Sequence, residues 1–163
     1  MTTKADYTEE EWAQLVQAPL TVGMLVIMSD LHITSMAGEM KGMLKGMMEQ
    51  PVPEGAEELV GSLQEDIQAK AENKEKMESP DTSDKDAEAV VGEMMQSLSD
   101  AAALVDAKCA GEEAAGYKQW LMAVAEATAE AGKEGGFLGI GAVRVSDKEK
   151  SAMEQISQTL GLT

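Results

Sequence analysis

Met36, Met40, Met43 and Met47 follow one another at intervals of four, three and four residues, which places four thioethers on one face of a helix. Thioether sulfur is a soft ligand suited to copper(I), so copper binding is the first chemistry to weigh. Packing competes with it, because methionine at helical spacing is an adaptable core filler. Among the methionines, Gly38, Gly42 and Gly46 recur at every fourth position. Each glycine costs nearly 1 kcal/mol of helix propensity against alanine, roughly, a cost offset if another helix lies close against the line. Packing is therefore the expected role, and neither copper nor iron is expected to be held.

Other residues narrow the chemistry further. A di-iron carboxylate bundle needs two Glu-x-x-His motifs, and His32 is the single histidine. It is taken as a surface or locally hydrogen-bonded side chain. Cys109 is the single cysteine, which excludes an internal disulfide, and no Ser-His-Asp or Cys-His pair is specified by the sequence; at the end of an apolar stripe it reads as a small buried hydrophobe. Asp30 and Glu39 are the carboxylates that could hold a weak hard cation. The segment "GKEGGFLGIGAVRVS", residues 132–146, offers Gly136, Gly139, Gly141, Arg144 and Ser146 ahead of a helix start, where backbone amides can cradle an anion. No strand precedes it, and its spacing matches neither a dinucleotide fingerprint nor a phosphate loop. The alternative is a fixed structural crossover. On that view Phe137 and at least two of Leu138, Ile140, Val143 and Val145 are buried. No catalytic set and no cofactor is implied.

The elements that must position these residues are helical. The apolar 44% consists mainly of Ala, Leu, Val and 13 Met, with two Trp, two Tyr and one Phe, so little favours strands. Thr8 with Glu11, and Ser146 with Glu149, form capping boxes. Pro19 is expected to end a first short helix and to open a second, buried one reaching Met28. The glycine and methionine helix spans about Ser35 to Gln50, and Leu44 and Met48 widen its apolar face. A stripe of Leu59, Val60, Leu63 and Ile67 follows Pro53. Then come Ala87, Val91, Met94, Leu98, Ala101, Val105 and Cys109 behind a Ser83 cap, with "AGEE" at 110–113 as the next turn. Tyr117, Trp120 or Leu121, Val124 and Thr128 mark a further helix, and Met153, Ile156 and Leu160 the last. The expectation is one all-α domain over residues 1–163, a bundle of about seven helices. Two degenerate related halves are consistent with a faint echo between the stretches that follow Trp12 and Trp120.

Charge and patterning bear on partners. Thirty Asp and Glu against 13 Lys and Arg leave a net charge of -17, which disfavours nucleic acid and anionic lipid. The longest strongly apolar run, Pro19 to Met28, is about half of a bilayer span, and the first residues lack a signal-peptide pattern. The expected location is the cytoplasm, without membrane contact.

The tail "VRVSDKEKSAMEQISQTLGL" resembles the closing helix of the tellurite-resistance TerB-like helical domains, and "VGMLVIMSDLHITSMAGEM" resembles a degenerate version of their first half. The whole chain, with "EGGFLGIGAVRVS", also resembles an uncharacterised family of prokaryotic helical proteins. The resemblance implies an all-helical fold, a stress-related setting and an association with cation binding. Where TerB-like domains have Asp-Gly before a hydroxyl residue, Asp30 is here followed by Leu31. The expected function is a non-enzymatic helical module acting through a protein partner or a second copy of itself. The alternative is a small-ligand or cation binder with its site between the 30–39 break and the 134–146 loop.

Overall fold

The computed structural model describes residues 1–30, 36–73, 86–134 and 145–163, which contain no strand. Their helices are α1 (Glu9–Ser29), α2 (Met36–Glu49), α3 (Glu57–Glu72), α4 (Ala87–Lys108), α5 (Gly111–Glu134) and α6 (Asp147–Thr159), preceded by a 3-10 turn at Lys4–Asp6. Helices α1 and α5 each touch all the others and form the centre of the bundle.

Both capping boxes are present: Thr8 starts α1 with Glu11, and Ser146 starts α6 with Glu149. Asp86 caps α4 through a 2.7 Å bond from the Ala89 amide; Ser83 lies outside the described residues. The expected turn at 110–113 is instead largely the first turn of α5, which begins at Gly111. Trp120 and Leu121 are both fully buried there.

Pro19 neither ends nor begins a helix, which corrects the expected count of about seven to six among the described residues. Helix α1 runs through it for 21 residues. Proline has no amide hydrogen, so the carbonyl four residues earlier, that of Leu15, loses its helical donor. The Tyr117 hydroxyl of α5 donates to that oxygen at 3.1 Å. A continuous α1 is long and apolar enough to cross a membrane by length and composition, but 67% of that window is buried by its neighbours, as in a core helix.

The glycine line seats α2 on α5, as its spacing predicts. A Cβ on Gly42 would overlap the Ala131 Cβ and lie 2.7 Å from the Ala127 carbonyl oxygen, and one on Gly38 would lie 2.9 Å from the Ala131 oxygen. Gly46 faces the Ala127 Cβ at 3.1 Å by the same measure. On its other side α2 meets α1, where the Met43 side chain fills the space a Cβ on Gly23 would need. Met43 and Met47 are buried as expected, but Met40 and Leu44 are exposed. With the glycines turned toward α5, the helix is rotated away from the orientation that a methionine-centred stripe implies.

Candidate functional site

Of the two segments singled out for a ligand site, residues 31–35 and 135–144 lie outside the described residues. Asp30 follows the last residue of α1, and its carboxylate, 13% exposed, lies 3.5 Å from Lys148 Nζ in the first turn of α6. Beside this pair a groove of about 220 Å³ has an apolar floor of Leu25, Val91, Met95 and Ala152, with Ser29 and Lys148 at its edge. Ser146 is occupied as a helix cap: its hydroxyl accepts from the Glu149 amide at 3.1 Å, and its own amide donates to Glu149 Oε2 at 2.6 Å. Val145 is half-buried against the core. Gly136, Gly139, Gly141 and Arg144 lie outside the described residues, as do His32, Phe137, Leu138, Ile140 and Val143.

Glu39 is buried in the first turn of α2. Among the described residues no group of three or more His, Cys, Asp or Glu is placed to share a metal ion.

The outward strip of α2 carries Met40, 39% exposed, and Leu44, 53% exposed, one helical turn apart. Lys41 and Lys45 stand beside them, also exposed, and Lys45 reaches Glu49 at 3.9 Å.

A polar cluster that sequence patterning did not reveal lies where the N-terminal segment crosses the α4–α5 junction. The Thr2 amide and hydroxyl both donate to Glu113 Oε1, at 2.5 and 3.1 Å. The Thr2 hydroxyl also lies 3.0 Å from Tyr7 Oη, which in turn is 3.1 Å from Cys109 Sγ. Glu113 is 2% exposed, and its Oε2 has no hydrogen-bond partner among the described residues. Burial and the Cys109 contact push the Tyr7 phenol well above its usual range, against an opposing bond from Thr2. Cys109 is thus half-buried rather than fully buried, packed against the core and hydrogen-bonded through its thiol. The four residues are separated by up to 111 positions, so no local spacing could have signalled them.

No protein-family model matches the chain, and no curated protein or solved structure is similar to it. The geometry offers an apolar strip on α2, a small groove at the α1–α6 junction and a network that anchors the N-terminal segment, in which the Thr2 hydroxyl donates to the Glu113 carboxylate.

Proposed function

We propose that the chain is a non-enzymatic helical module of the cytoplasm that acts through protein contacts made by the outward strip of α2. The observation that carries this is the exposure of Met40 and Leu44 one turn apart, on a helix whose opposite side is committed to α5. Neighbouring apolar side chains left open in this way are a common mark of contact surfaces. Lys41 and Lys45 stand beside the pair in a protein of net charge -17, which suits a partner whose apolar side chains are rimmed by carboxylates. A second copy of this chain, acidic at a net charge of -17, supplies carboxylates of that kind and is one such partner. The resemblance to TerB-like domains adds a stress-related setting.

The test places a photo-crosslinking residue at position 44 and, as a control, at exposed Gln119. A discrete product from position 44 that Gln119 does not give, lost on Met40→Lys, supports the proposal. Identical products from both positions would remove it. Sedimentation analysis of the purified chain separates a homodimer from a different partner.

A second reading, a small-ligand or cation binder, draws support from the groove beside Asp30 and Lys148. At about 220 Å³ it is smaller than the roughly 300–1,000 Å³ of typical ligand pockets, so it ranks second. Native mass spectrometry finding one non-protein mass per chain would reverse that order.

A further inference from the structure

A groove of about 430 Å³ runs between the start of α1 and the end of α3. Both Asp66 oxygens are engaged at its mouth, one accepting from Lys4 Nζ at 2.9 Å and the other from Trp12 Nε1 at 3.0 Å. The Lys4 ammonium also stands 5.9 Å from the centre of the Trp12 ring. An indole face and a charge-assisted bond to a carboxylate are the two elements by which proteins recognise an ammonium group. We infer that the notch formed by Trp12 and Asp66 is a binding site for a single alkylammonium group, and that Lys4 is its tethered occupant.

The two sides of this contact are held very differently. Trp12 is 4% exposed and the Asp66 side chain 22%, so both are fixed by packing. The Lys4 side chain is 61% exposed and belongs to one 3-10 turn. Ion pairs with so exposed a partner are worth about 0–1 kcal/mol. Lys4 therefore occupies the notch mainly because its tether keeps it nearby, at an effective concentration on the order of millimolar. The groove continues past Lys4 along Ala13 and Ala69 to Asn73, which leaves room for an alkyl chain. Glu9 adds negative charge at the rim, while Lys70 lines the same wall and acts on Asp66. The charges of Glu9 and Lys70 offset each other, which leaves Asp66 as the groove's one uncompensated charge among the described residues once Lys4 is displaced, so the class is a monoamine or a lysine side chain rather than a polyamine.

The chain carries its own reporter and control. Its two tryptophans differ, because the Trp12 indole N–H donates to Asp66 whereas that of buried Trp120 has no partner among the described residues. Pentylamine is titrated into wild type, Lys4→Gln and Lys4→Gln/Asp66→Asn while both indole N–H resonances are followed by NMR. The expected result is a saturable shift of the Trp12 resonance alone, tighter in Lys4→Gln than in wild type by up to about fivefold, and absent in the double variant. Nα-acetyl-lysine amide run in parallel distinguishes the source: tighter binding than pentylamine points to a protein lysine, equal or weaker binding to a free amine. A Trp12 resonance that does not move in Lys4→Gln below about 10 mM amine overturns the site and leaves Lys4 as a simple anchor. The Trp120 resonance verifies folding. Were Lys4→Gln unfolded, the wild-type titration decides, since a competing ammonium must still move Trp12.

Discussion

Helix α5 meets α2 and α1 in opposite ways. Against α2 the contact is close because atoms are missing: Gly38, Gly42 and Gly46 let that helix lie on the Ala127 and Ala131 backbone. Against α1 a donor is missing, the amide that Pro19 lacks, and a side chain replaces it when the Tyr117 hydroxyl bonds the Leu15 carbonyl. One seam depends on volume alone. The other depends on a single proton in an otherwise apolar place. The first should be sensitive to added carbon and indifferent to pH, and the second the reverse.

The largest effect expected is from Gly42→Leu. Its Cβ alone would overlap Ala131 and crowd a backbone oxygen that cannot retreat, so a loss of about 3 kcal/mol is expected. An unchanged melting temperature would break the volume half of the comparison. Tyr117→Phe comes next, at about 1–3 kcal/mol, since it leaves the Leu15 carbonyl buried and unpaired. The loss should shrink in a Pro19→Ala background, where a restored amide serves Leu15, and a double-mutant cycle measures that coupling. Equal losses in both backgrounds would detach Tyr117 from Pro19.

Alkaline titration sharpens the contrast at smaller cost. Burial pushes the Tyr117 phenol up, and burial with the Cys109 bond pushes Tyr7 up; these are the two tyrosines of the chain. The unfolded chain ionises its phenols near pH 10, while the folded chain keeps them neutral. The stability they contribute is therefore complete below about pH 10 and is lost as the pH rises further. Absorbance at 295 nm should show no tyrosinate until the protein unfolds, and then both phenols together. A smooth non-cooperative rise near pH 10 would contradict their burial. Leu44→Gln is the smallest case, expected within about 0.5 kcal/mol of wild type, because it lies on α2 but off the glycine seam. A larger loss would mean that the outward strip is part of the fold.

The glycine seam was legible because its spacing is local, as were both capping boxes, where hydroxyl and carboxylate stand three residues apart. Methionine spacing gave the right helix but the wrong rotation. Hydrophobicity pointed to the Met36, Met40, Met43 and Met47 line, whereas close approach to α5 is set by the residues with no side chain, which turns Met40 and Leu44 outward. Pro19 misled for a different reason. Its local chemistry does break helices, and the hydroxyl that repairs the break lies 102 residues away from Leu15. The Thr2, Tyr7, Cys109 and Glu113 network was hidden by the same separation. The Asp30–Lys148 pair joins the end of α1 to the start of α6, two charges too far apart along the chain for any local spacing to pair.

Three evenly spaced glycines also leave α2 with a choice of axial position. A slide by four residues, about 6 Å along the axis, would again set glycine against α5. What distinguishes one stop from the next is Met43, whose side chain occupies the dent left by Gly23 on α1, together with the Met47 carbonyl, which accepts from Gln64 of α3 at 3.1 Å. The Met43 fit acts as a detent on the glycine rail. Filling the dent, or shortening Met43, would free the helix to sample neighbouring stops and carry Met40, Leu44 and their lysines with it by one full turn.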